Sequence, residues 1–155
     1  GLMLVGNLGS EYRFSYGVMG DDVNLGSRLE GLNKQYGSEI IIGQNTADLV
    51  GQAFVLRELD QVRVVGKQKP TRIYELLADA ANGTPIEQGK AIEAYAAALA
   101  AYRDQRWEEA MKLFAECARN WPEDRVAGTM IGRCEEYAAQ PPPQDWDGVY
   151  EATKK

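Results

Sequence analysis

Histidine is absent from the 155 residues, which excludes imidazole acid–base catalysis and imidazole metal ligation by this chain. Cysteine is scarce. Cys117 and Cys134 stand far apart without zinc-ligand spacing, and read as reduced core thiols of a cytoplasmic protein. Basic residues are the minority, 17 against 23 acidic ones for a net charge of −6, a balance that argues against a nucleic-acid partner. The longest apolar run, Ala94 to Ala101, falls far short of the ~20 residues a membrane span needs, so no direct insertion by this segment is expected. Gly1-Leu2-Met3 resembles neither a signal peptide nor a natural start. The chain opens inside a strand pattern and reads as a piece of something longer.

What is present begins with a short apolar run, Leu2 to Leu8, then a Gly9-Ser10 turn and an alternating stretch from Tyr12 to Met19. Together they predict a β-hairpin. Gly6 and Gly9 could hint at a phosphate cradle, but turn geometry explains them better. Gly20 and Asp21 then open a helix, with Asp21 expected as its N-cap and Asp22 beside it at the positive end of the helix dipole. Two adjacent aspartates invite a metal-site reading, and capping explains them more simply.

Along that helix Leu25, Leu29, Leu32 and Tyr36 recur at helical spacing and mark the buried stripe. Asn24 and Arg28 stand four apart on one face, at the flank of the stripe. An amide and a guanidinium held at a core margin can clamp a polyanion or a developing oxyanion; on spacing alone the pair reads first as a solvated helix face. Gly37 is a natural stop. Glu39 to Ile42 predicts a strand, Asn45-Thr46 the cap of a short helix to about Val50, and Phe54–Leu59, Gln61–Val65 and Thr71–Leu77 three further strands. Strands interleaved with two helices indicate an α+β fold, helices on a mostly antiparallel sheet.

Several of these residues carry a longer pattern. Gly6-Asn-Leu-Gly-Ser10, Arg13, Tyr16, Gly20-Asp21, Val23-Asn24, Arg28-Leu-Glu-Gly31 and Asn33-Lys34 resemble the second half of a class III nucleotidyl cyclase catalytic domain, the adenylate/guanylate cyclase family. Tyr36-Gly37, Ile40-Ile41, Thr46, Phe54, Arg57-Glu-Leu-Asp60, Val62, Gly66-Lys67 and Tyr74-Glu-Leu76 follow in register, so the resemblance covers residues 1–78. It implies the second half of a ferredoxin-like cyclase core, with a site shared between the two subunits of a homodimer. It implies ATP as substrate and cyclic AMP and pyrophosphate as products. By the motif match Asn24 orients the ribose and Arg28 stabilises the charged α-phosphate. The divalent ions, Mg²⁺ or Mn²⁺, belong to two aspartates of the family's first half, so no metal ligand is expected in this chain, and the chain alone is expected to be inactive. Two positions depart from the pattern. Gly17 stands at the purine-reading position, where threonine or aspartate often reads adenine. Val65 stands where some members carry a phosphate-binding lysine, a role that Lys67 could take over or leave to be a solvated hairpin residue.

Residues 79–90 read as a linker around Asn82-Gly-Thr84, and 91–139 shift to Ala, Glu and Arg at helical spacing. Ala98, Ala101, Trp107, Ala110, Phe114, Cys117 and Pro122 resemble a tetratricopeptide helix hairpin, with Asp124 expected to cap a third helix to about Ala139. So short an array is expected to pack on the first half or on a partner. Residues 140–155 form a Pro-rich tail. Its Pro141-Pro-Pro143 and Asp145-Trp-Asp-Gly148 resemble the ends of bacterial cyclases with membrane-tethered sensors, which implies a cytoplasmic segment of a parent anchored in the inner membrane. The rival reading is a catalytically incompetent scaffold whose helical tail recruits a protein partner.

Overall fold

The computed structural model describes residues 1–10 and 13–152, without the side chains of Ser10, Arg13, Phe14 and Glu87. Tyr12, expected to start the second strand, and the side chain of Arg13 thus lie outside the described residues. The hairpin is present as β1 (Leu4–Ser10) and β2 (Arg13–Met19), an antiparallel ribbon in which Gly6 faces Gly17. It stands apart from a four-stranded sheet of order β3-β5-β4-β6, formed by β3 (Ile41–Gly43), β4 (Phe54–Val64), β5 (Thr71–Asp79) and β6 (Tyr150–Ala152). β3, β5 and β4 are antiparallel neighbours, whereas β6 runs parallel to β4. The helices are α1 (Asp21–Tyr36), α2 (Gln44–Val50), α3 (Ile86–Arg103), α4 (Trp107–Asn120) and α5 (Val126–Ala139).

The apolar stripe of α1 is as expected: Leu29, Leu32 and Tyr36 are buried, with Leu25 half-buried beside them. The helix ends on Gly37 in the left-handed region at φ 75°, its N–H donating to the Asn33 carbonyl at 2.8 Å. The start differs from expectation. Gly20, not Asp21, is the N-cap, and no side chain caps the helix; the Asp21 carboxylate instead pairs with Lys67. Likewise Asn45 and Thr46 lie inside α2, behind an N-cap at Gly43. The two strands expected around Asp60 are one, β4, with register shifts at Val55/Leu56 and Glu58/Asp60. Asp60 is fully buried, accepting from Tyr36 Oη at 2.7 Å and Gln61 N at 2.8 Å, and paired with Arg133 of α5.

The C-terminal helices share one core with the sheet. Leu59, Val62 and Ile73 of the sheet belong to the same apolar cluster as Tyr95, Ala98 and Tyr102 of α3, Phe114 of α4 and Met130 of α5. α3 and α4 form the expected hairpin, with Ala110 and Phe114 buried against α3 and Tyr95 edge-on to Phe114 at 5.1 Å. Helix α3 begins at Ile86, earlier than its apolar repeat suggests. The fastening to the sheet is polar as well as apolar. Tyr95 Oη donates to the Leu59 carbonyl at 2.9 Å. Arg57 of β4 donates to Asp124 at 2.6 and 2.9 Å and pairs with Glu75. Asp124 also accepts from Val126 N at 3.0 Å, but the N-cap of α5 is Arg125, one residue beyond the expected cap. Such buried ions persist only when each is paired. Burial opposes the charge on Arg57, and its contacts with Asp124 and Glu75 outweigh that, so its proton is held more tightly than usual.

The final segment is anchored by Trp146, which packs against Tyr102, Trp107 and Tyr137 with ring centroids 5.4–5.8 Å away. Its Nε1 donates to the Val149 carbonyl at 3.0 Å. No helix of the described residues is long and apolar enough to cross a membrane.

Candidate functional site

Helix periodicity puts positions i, i+3, i+4 and i+7 on one face, and on α1 these are Asn24, Ser27, Arg28 and Gly31. All four line a cavity of about 320 Å³, closed on its other sides by Leu32, by Val64 and Val65 at the end of β4, and by Ala152 of β6. Asn24 is exposed and Arg28 is half-buried. Among the described residues neither side chain has a hydrogen-bond or ion-pair partner within the protein. An unpaired guanidinium beside an unpaired amide, backed by an apolar wall, is organised for an anion with a polar neighbour group.

The turn after β4 completes this corner. Lys67 N donates to the Val64 carbonyl at 3.0 Å, and Gly66 adopts φ 76° with the Arg28 guanidinium against it. A Cβ at Gly66 would stand 3.3 Å from Arg28 Nη2, so the turn needs glycine both for its left-handed backbone and for the close approach of the arginine. Lys67 sits next to the cavity without lining it, and its ammonium is held by Asp21 at the start of α1. Gly17 is elsewhere, in the β1–β2 ribbon, where a Cβ would meet Leu8 Cδ1 at 3.3 Å. The structure therefore joins Asn24 and Arg28, sets Lys67 beside them, and leaves Gly17 apart.

Sequence reasoning missed Ser27 and the Ala152 wall. The spacing of Ser27 from Asn24 could have shown the first. Nothing in the sequence points from Ala152 to a helix at the other end of the chain.

Below the cavity, α1 is pinned at its far end. Tyr36 Oη donates to Asp60, Arg133 pairs with Asp60, and Thr129 Oγ1 donates to the Tyr36 carbonyl at 3.3 Å. Burial, with the Asp60 charge adding to it, drives the Tyr36 phenol well above its usual range. Burial also lifts the Asp60 carboxyl, against the pull of Arg133. No group of three or more acidic or thiol side chains that could hold a metal ion occurs among the described residues. Of the Asp21–Asp22 pair, Asp21 is committed to Lys67.

Against known proteins, the chain is 34% identical over 137 residues to a Dictyostelium discoideum protein named "Adenylate cyclase, terminal-differentiation specific", across 86% of this chain and 6% of that protein. It is 40% identical over 81 residues to an Anabaena cylindrica adenylate cyclase and 34% identical over 77 residues to adenylate cyclase 1 of Rhizobium meliloti. These two matches cover half of this chain and 16% and 12% of the relatives. A solved structure of the adenylyl cyclase CyaB from P. aeruginosa aligns with a TM-score of 0.42 at 35% identity, over 48% of this chain and 37% of that one. No family model matches. The chain is thus similar to proteins named adenylate cyclase, and it spans no more than 16% of the length of any of these three relatives. Nothing in these comparisons supports calling the three C-terminal helices tetratricopeptide-like. A match covering 86% of the chain cannot be confined to residues 1–78, so the likeness to the Dictyostelium protein runs into the helical segment.

Proposed function

We propose that this chain supplies the ribose- and phosphate-binding side of a nucleotidyl cyclase site that converts ATP to cyclic AMP and pyrophosphate. The carrying observation is the convergence of Asn24 and Arg28, neither with a side-chain partner among the described residues, on one cavity. The reaction is an in-line attack of the ribose 3′ oxygen on the α-phosphorus: the O3′–P bond forms, the bond from the α-phosphorus to the bridging oxygen breaks, and pyrophosphate leaves. The hydroxyl proton passes to water as the oxygen attacks. Its demands are positioning and charge stabilisation. On this reading the Asn24 amide orients the ribose while the Arg28 fork binds the α-phosphate, whose charge is redistributed in the transition state. Lys67, beside the cavity and paired with Asp21, is the further cation we assign to the outgoing phosphates. Three relatives named adenylate cyclase favour ATP over GTP, and Gly17, lacking a side chain, leaves base selection to other groups.

Among the described residues no cluster of three or more acidic or thiol side chains could hold the divalent ions that the resemblance implies. We assign Mg²⁺ or Mn²⁺ to aspartates outside these 155 residues, and the complete site to a two-fold homodimer in which each partner lends its Asn/Arg pair. Mixing this chain with an Arg28→Ala form of a longer protein that carries the metal-binding aspartates tests the reading. Cyclic AMP is expected from the mixture and from neither component alone. Metal-dependent turnover by the chain alone, or none from the mixture despite complex formation, contradicts it. The second outcome would favour the scaffold.

A further inference from the structure

β6 is a strand of three residues in parallel pairing, Val62 with Tyr150, Arg63 with Glu151 and Val64 with Ala152. So short a parallel pair holds little by backbone hydrogen bonds alone, and side chains fasten this one from several directions. Arg63 pairs with Glu151 and reaches Asp147 at 3.3 Å. Gln35 of α1 donates to Tyr150 Oη at 2.6 Å. The Arg133 guanidinium lies 3.6 Å from the centroid of the Tyr150 ring. Upstream, Trp146 is seated in its aromatic cluster and bonded to Val149. All of this fixes the place of Ala152, which is 5% exposed and faces the cavity shared by Asn24 and Arg28.

Covering the open edge of β4 would account for a strand here, but not for the residue at its end. Alanine is a poor strand former, and a β-branched side chain would favour the pairing. A small residue suits a position where a larger one would fill the space beside Arg28. We propose that β6 is a built wall of the Asn24/Arg28 site and that Ala152 is its size-determining residue, leaving room beside Arg28 for the phosphate-bearing part of a nucleotide. This rests on the reading of the cavity as a nucleotide site. The C-terminal segment thus contributes to the binding site as well as to the core.

The test uses the whole chain, with ATP as the probe. Ala152→Leu is expected to weaken ATP binding by about tenfold or more, and Ala152→Gly to leave it within about twofold. Because leucine could unseat β6, Ala152→Cys supplies a second measurement. Cys117 and Cys134 are buried away from the cavity, with thiols pushed up to about 11 by burial, whereas position 152 lines it, so a small thiol reagent that enters the cavity near neutral pH reports on position 152. Millimolar ATP should slow that labelling in the Arg28 protein and leave it unchanged after Arg28→Ala. If ATP binds and Arg28→Ala weakens it, yet labelling is unprotected and the leucine form binds normally, the wall is overturned and the nucleotide reading stands. If ATP binding is absent or indifferent to Arg28, the nucleotide reading falls and the wall falls with it.

Discussion

Removing Arg133 should detach the C-terminal helices from the sheet at their most costly point. The Arg133 and Asp60 side chains are 5% and 0% exposed, so Arg133→Ala leaves a carboxylate buried with two hydrogen bonds and no counter-ion. Breaking such a pair from one side costs about 3–5 kcal/mol, or roughly 6–20 °C in Tm for a chain of this size. The loss should depend on pH, with a definite sign. Burial already raises the Asp60 carboxyl above its ordinary range, and Arg133 is the strongest influence pulling it back. Without Arg133 the folded-state pKa rises further, while the unfolded chain keeps a value of about 3.9. Above that value the unfolded chain has lost the proton that the folded state retains. Stability therefore falls as pH climbs through the folded pKa. Urea denaturation at pH 5 and pH 8 should give a smaller penalty at pH 5. Asp60→Asn placed on top of Arg133→Ala should recover part of the pH 8 loss, since no charge is then stranded. A penalty below about 1 kcal/mol, or an equal one at both pH values, would refute this account of the junction.

Two other outcomes follow from the shared core. Truncation after Asp79 should lower hydrogen-exchange protection of β4 and promote aggregation, because Leu59, Val62 and Ile73 lose their helical cover; equal protection in the two forms would reject docking of the helices. Ala110→Leu should overpack the α3–α4 crossing, where Ala110 is fully buried, and cost about 1–3 kcal/mol by denaturant titration.

How much of this was legible varies with the range of the contacts involved. The stripe from Leu25 to Tyr36, the Gly37 stop and the Asn24/Arg28 face depend on spacing within one helix, and spacing is what a sequence displays. The helical hairpin at Ala110 and Phe114 was legible for the same reason. The strand was divided at Asp60 because an acid interrupts the apolar pattern there; its partners Tyr36 and Arg133 lie 24 and 73 residues away. The N-cap at Asp21 failed because Lys67, 46 residues on, takes its carboxylate. β6 was invisible, since three residues show no periodicity and its place comes from Trp146, Tyr150 and Arg63. Ala152 therefore enters the candidate site only through the folded chain.

The most direct measurement of the central claim is the steady-state kinetics of Arg28→Ala in a protein that carries this chain together with the metal-binding aspartates. If Arg28 meets charge that develops in the transition state, kcat should fall by roughly 10²–10³, about 2.7–4 kcal/mol, with KM for ATP changing far less. Arg28→Lys should recover only part of the loss, since the planar fork is gone. An unchanged kcat with a raised KM would contradict the assignment and reduce Arg28 to a ground-state contact.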